Sequence, residues 1–113
     1  MAEAKDLQDK AYEAVEIAKK TGKLKKGSNE ATKIIERGIA KLVLIAEDTS
    51  PKEIIMHLAP LCEEKQVPCV TVSSKEELGA AAGLDVATTA VVIINEGDAR
   101  EIIKQLKEKL AKK

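Results

Sequence analysis

Aromatic residues are almost absent from this 113-residue chain: it has no Trp and no Phe, and its one Tyr is Tyr12. That excludes the stacked aromatic platforms on which many proteins lay unpaired bases, and it means that any core must be aliphatic. Histidine is limited to His57, and cysteine to Cys62 and Cys69, which lack a Cys-x-x-Cys spacing. A zinc site, a disulfide framework and a serine- or cysteine-type catalytic group therefore have no support, and the two thiols are expected to be buried. No apolar run approaches the ~20 residues that cross a bilayer, and the first twenty residues are charged and amphipathic, so a cytoplasmic protein without membrane contact is expected. Neither a metal nor a cofactor is expected.

Net charge is also lacking, since 19 basic residues balance 19 acidic ones. The balance is not uniform. Between Lys19 and Lys41 eight basic residues face two acids, whereas between Leu42 and Asp98 three bases face ten acids. A basic stripe on an otherwise acidic body can steer a polyanion to one face. The same lysines can equally serve as an ordinary solvated surface.

What is present is a composition that is 44% apolar and 34% charged, which is globular, and a length that buries one core, so residues 1–113 are read as one domain. Leu7, Ala11, Ala14, Val15 and Ala18 recur at helical spacing up to the stop at Thr21-Gly22. A short extended piece follows around Leu24. A second helix carries Ala31, Ile34 and Ile35 inward, with Ser28 as its expected N-cap and Gly38 at its end. Leu42 to Ala46, Val67 to Val72 and Ala90 to Ile94 read as strands. Ser50-Pro51-Lys52-Glu53 reads as a capping box opening a third helix through Ile54, Ile55 and Leu58, which Pro60 shortens or kinks. Lys75 to Gly79 is a short helix and Asp98 to Leu110 the last one. Strands alternating with helices imply crossover connections, hence an α/β/α sandwich around a mainly parallel sheet.

The stretch Lys25-Lys26-Gly27-Ser28-Asn29-Glu30-Ala31-Thr32-Lys33 is the most informative. Gly27 permits close approach, and the helix that follows offers free N–H groups to an anion. Glu30 would repel a bound phosphate, so it needs another task, and reading a base edge is one. In a sheared G·A pair a carboxylate can accept from the free guanine N–H groups while an amide or ammonium meets O6 and N7, which Asn29, Glu30 and Lys33 can divide from one helical turn. The plainer reading is a capped helix with acids favourably placed in its first turn.

Lys26 to Lys33, Glu36 to Val43 and Ile45 to Asp48 resemble the signature of the kink-turn-binding large-subunit ribosomal protein 7Ae family, in its archaeal form. The resemblance continues through His57-Leu58, Leu61 to Lys65 and Ser74 to Gly83, and covers nearly all of the chain from Thr21 onward. It implies a three-layer α/β/α sandwich with a four-stranded mixed sheet, and a non-enzymatic protein that binds kink-turn and kink-loop RNA. By the same resemblance Gly27, Ser28, Asn29 and Glu30 meet the tandem sheared G·A pairs, with Lys26, Lys33 and Arg37 as the basic contacts. Leu84, Asp85, Val86 and Ala87 lie where relatives cover unpaired nucleotides. The implied partners are ribosomal RNA, box C/D and H/ACA guide RNAs, ribonuclease P RNA and the proteins of those ribonucleoproteins. Thr88-Thr89 and Cys69-Val70-Thr71 depart from the family pattern, which bears on loop shape and partner contacts.

Three alternatives stand beside this reading. Leu84 and Val86 can instead pack beneath the strand that follows. Glu47-Asp48, at the carboxyl end of a buried strand, occupies the crevice where α/β enzymes hold ligands. The acidic region and the last helix can dock a basic protein, which would make the chain an interaction module without RNA readout.

Overall fold

The computed structural model describes residues 2–49, 53 and 55–111. Five helices and four strands follow one another as α1 (Ala2–Thr21), β1 (Lys23–Lys26), α2 (Ser28–Glu36), β2 (Leu42–Ala46), α3 (Leu58–Glu64), β3 (Cys69–Val72), α4 (Lys75–Ala81), β4 (Ala90–Asn95) and α5 (Arg100–Ala111), with a 3-10 turn at Gly97–Ala99 before α5. The sheet has the order β1-β4-β2-β3.

Alternation of side chains along the two central strands builds two cores. Leu42, Leu44 and Ala46 of β2, with Val91 and Ile93 of β4, face Ala11, Ala14, Val15 and Ala18 of α1, Leu78 of α4, and Ile103 and Leu106 of α5. Val43, Ile45, Ala90 and Val92 face the other way, onto Ala31, Ile34 and Ile35 of α2 and Leu58 and Cys62 of α3. A strand covered on both sides must be apolar at every position, which is why β2 is buried throughout. Helices thus lie on both faces of the sheet, in a three-layer α/β/α sandwich.

The sheet is mixed and not mainly parallel. β2 pairs with β3 in parallel, but β4 runs antiparallel to both β1 and β2. The crossover rule holds for β1, β2 and β3, which share one direction. β4 alone opposes them, and by inserting between β1 and β2 it makes two of the three pairings antiparallel.

Element ends match their local chemistry. Ser74 caps α4 by accepting from the Glu77 N–H at 3.2 Å. The third helix begins at Leu58, so Pro60 falls in its first turn, where its missing donor leaves no bond unmade. The capping box proposed for that helix lies outside the described residues except for Glu53. Of the two thiols only Cys62 is fully buried, Cys69 being half-buried, and both are free. The neighbouring Cys62 thiol, together with burial, pushes the Cys69 thiol up. Among the described residues no helix is long and apolar enough to cross a membrane.

α3 ends in a Schellman arrangement, with the Val67 N–H donating to Cys62 O at 2.8 Å and the Gln66 N–H to Glu63 O at 3.2 Å. Its left-handed residue is Gln66, at φ 58°, the single non-glycine with positive φ among the described residues. A side chain in that conformation costs about 1–2 kcal/mol, more than the ~0.4–1 kcal/mol that glycine adds to unfolded-chain entropy. Gln66→Gly is therefore expected to stabilise the fold by up to about 1 kcal/mol. In a thermal melt this should appear as a rise of a few degrees, and a fall would show that the Gln66 side chain supplies a compensating contact.

Candidate nucleic-acid interface

β1 hands the chain to α2 through Gly27. Its N–H donates to Ala90 O at 2.8 Å, extending the pairing with β4, and its carbonyl accepts from the Ala31 N–H at 2.9 Å, opening the helix. To do both it takes φ 92° and ψ 150°, a conformation that L side chains resist. Nothing lies within 4 Å of the place where a Cβ would stand, so the backbone here is open to a ligand.

The N-cap is Gly27, and Ser28 is the first helical residue, with no side-chain cap bond. The expectation that Ser28 caps α2 is therefore corrected. The positive φ at Gly27 shifts the start of the helix by one residue, and the first-turn N–H groups are left without a side-chain acceptor. Thr32, one turn on, donates from its hydroxyl to Ser28 O at 2.8 Å. It also meets His57 Nε2 at 2.7 Å, fastening the start of α2 to the approach to α3. Sequence reasoning passed over this pair, although Thr32 stands inside the most informative motif.

Asn29, Glu30, Lys33 and Arg37 are all exposed, opposite the buried Ala31, Ile34 and Ile35. At helical spacing they share one side of α2, with Arg37 lying ~12 Å along the axis from Asn29. Lys26, also exposed, ends β1 immediately before the turn. An amide, a carboxylate and cations thus stand together beside uncapped N–H groups.

The second half of the interface is the 84–87 loop. The Gly83 N–H donates to Ala80 O and the Leu84 N–H to Gly79 O, each at 2.9 Å. The Thr88 N–H then returns to Lys75 O at 3.1 Å, so the loop is tied to α4 at both ends. A Cβ on Gly79 would run into the backbone of Val86 and Ala87, so glycine there lets the loop lie against the helix. Buried Thr88 donates its hydroxyl to Ala90 O at 3.1 Å, which explains a polar residue where apolar ones were expected. Ala90 is also the acceptor of the Gly27 N–H, and three residues of chain reach at most ~10 Å, so Ala87 and the α2 turn lie at one end of the sheet.

Leu84 and Val86 part company. Leu84 packs against the core formed with α1 and α4, whereas Val86 is 68% exposed, with Asp85 and Ala87 also exposed beside it. The packing reading therefore applies to Leu84, and Val86 is the apolar group that remains free to meet a ligand.

The basic stripe is not one surface. Gly27 bonds to the first residue of β4, but the Lys41 N–H bonds to Ile93 O at 2.7 Å, toward the opposite end of that strand, and Lys23 is paired with Asn95. Of the acids considered for an enzyme site, Asp48 accepts from the Lys75 N–H at 2.9 Å and so serves the start of α4. Among the described residues no cluster of His, Cys, Asp or Glu can hold a metal.

The sequence pattern of the ribosomal protein L7Ae/L30e/S12e/Gadd45 family matches residues 9–103. The chain belongs to that family. Among solved structures, the 15.5kD RNA binding protein of Giardia lamblia superposes with a TM-score of 0.87 at 35% sequence identity, over 92% of this chain and 87% of that one. Membership of this family identifies the chain as a non-enzymatic protein.

The two loop positions give a direct test. Leu84→Ser is expected to lower stability by about 1–2 kcal/mol through lost burial, whereas Val86→Ser should stay within about 0.5 kcal/mol of the parent. Gly79→Ala should lose about 1–3 kcal/mol, because the loop must move to admit the methyl group. Denaturant titration of the three variants checks this, and equal losses at Leu84 and Val86 would contradict the assignment.

Proposed function

We propose that the protein binds RNA by clamping a kink-turn, with the start of α2 reading tandem sheared G·A pairs and the 84–87 loop covering the nucleotides left unpaired at the bend. The observation that carries this reading is the meeting, at one end of the sheet, of an open glycine turn, an uncapped helix start and an exposed Asn29, Glu30 and Lys33. Glu30 accepts from guanine N–H groups, Asn29 and Lys33 meet the acceptors of the same edge, and Gly27 and Ser28 let the RNA backbone come close. Lys26 and Arg37 supply phosphate contacts on either side. Val86 covers an unpaired base by aliphatic contact, a role that suits a protein with a single Tyr.

Family membership and the likeness to an RNA-binding protein support the same reading. The physiological targets proposed are ribosomal RNA, box C/D and H/ACA guide RNAs and ribonuclease P RNA, bound in the cytoplasm together with the proteins of those particles.

A gel-shift titration against a kink-turn RNA, with its G·A pairs replaced by Watson–Crick pairs as control, decides between base reading and a merely structural helix start. Loss of a base contact costs about 1–3 kcal/mol of discrimination, whereas removing an acid from a helix start costs about 0.3–1 kcal/mol of stability. Glu30→Gln and Asn29→Ala are therefore expected to weaken binding to the kinked RNA roughly fivefold to a hundredfold while barely moving the melting temperature. Losses that are equal on the control RNA, or normal binding by both variants, would remove the base-reading role. A protein that binds neither RNA would be left as an interaction module.

Phosphate contacts leave a different mark. Neutralising Lys33 or Arg37 should lower the slope of log affinity against log salt by about 0.7–0.9 for each cation removed. An unchanged slope would place the phosphate backbone elsewhere.

A further inference from the structure

At the end of the sheet opposite Gly27, where β2 begins and β4 ends, a groove of ≈ 370 Å³ is lined by Lys41, Arg100, Lys104 and Lys107 together with Gln66 and the half-buried Glu96. Arg100, Lys104 and Lys107 recur at i, i+4 and i+7, so they form one line along ~10 Å of α5. All four cations are exposed, and among the described residues none of them is held in an ion pair. Four cations against the single acid Glu96 leave the groove with an excess of positive charge, which attracts a polyanion. Gln66, the left-handed residue where glycine would relax the backbone, adds an amide to the same groove.

We propose that this groove is a second polyanion site, which takes the phosphodiester backbone of a duplex RNA segment, so that the protein bridges two stretches of RNA from opposite ends of its sheet. The length of β4 separates the two ends by roughly 17 Å. The chemistry favours phosphate over an acidic protein. Protein interfaces are built around an apolar centre, but Ile103 at this groove is buried, and among the described residues the exposed large apolar side chains are Ile39, Met56 and Val86. Of these only Ile39, one residue before Ala40, is close in sequence to the groove. Arginine, lysine and amide donors in excess over the single acid, Glu96, are a set that holds an RNA backbone without reading its sequence.

The site depends on the proposed function only for the idea of bridging, and the test separates the two. The intact protein is first saturated with unlabelled short kink-turn RNA, and a labelled, blunt, plain RNA duplex is then titrated by fluorescence anisotropy. The loaded protein is expected to bind the duplex. Arg100→Gln/Lys104→Gln/Lys107→Gln should weaken that binding roughly tenfold and lower its salt slope by about 2, while affinity for the kink-turn RNA and the melting temperature are unchanged. Glu96→Gln should tighten duplex binding by removing the one acid that lines the groove. Duplex binding that the triple variant leaves intact, or that kink-turn RNA abolishes by competition, overturns the proposal. Polyglutamate binding as tightly as the duplex does so too, since the groove would then serve an acidic protein. If kink-turn RNA fails to load, the function proposed above falls, and the triple variant titrated on unloaded protein still judges the groove.

Discussion

A single backbone hydrogen bond, from the Gly27 N–H to the Ala90 carbonyl, sets where everything else at the interface can be. It extends the β1–β4 pairing by one residue, and at that residue the chain turns into α2. Because the same carbonyl also receives the Thr88 hydroxyl, the last fixed point of the 84–87 loop and the first fixed point of α2 share one acceptor. The open helix start, the acid, the amide and the loop are thereby brought together through one backbone acceptor, which joins segments far apart in sequence. The positive φ at Gly27 belongs to the same constraint, since a residue that must both finish a ladder and open a helix needs a backbone most side chains refuse.

The parts of the fold that burial decides were legible in the sequence. β2 and β4 are apolar at successive positions because both of their faces are covered, and α1, α2 and α5 carry their buried residues at helical spacing. Strand direction was not legible in the same way. Local periodicity says that Ala90 to Asn95 is a buried strand, but not that it slots between β1 and β2 against their direction, because that is fixed by contacts far apart in sequence. Family resemblance supplied the mixed sheet where alternation alone argued for a parallel one.

At the interface the limits were similar. Asn29, Glu30 and Lys33 could be placed together from spacing, because one helical turn is a local object. The helix cap was misplaced by a residue because Ser28 is a good N-cap by type, and its rejection follows from the turn at Gly27. Leu84 and Val86 look alike as letters, yet one packs on the core and the other projects, a difference made by the path of the loop over Gly79. The basic residues from Lys19 to Lys41 are neighbours in sequence but not all neighbours in space. Folding sends Lys26 and Lys41 toward opposite ends of the sheet, and Lys41 there joins three cations of α5 that no reading of the stripe would include.

The position of β1 at the border of the sheet has a bearing on solubility as well as on ligands. An outermost strand leaves one row of N–H and C=O groups unpaired, and a second copy could add its own strand there. Lys23, Lys25 and Lys26 occupy three of the four positions of β1 and are all exposed. Their mutual repulsion would oppose stacking of two such borders in register. A lysine lost from β1 thus removes a barrier to self-association as well as a cation, and any measurement of affinity on such a variant would be read against its state of aggregation.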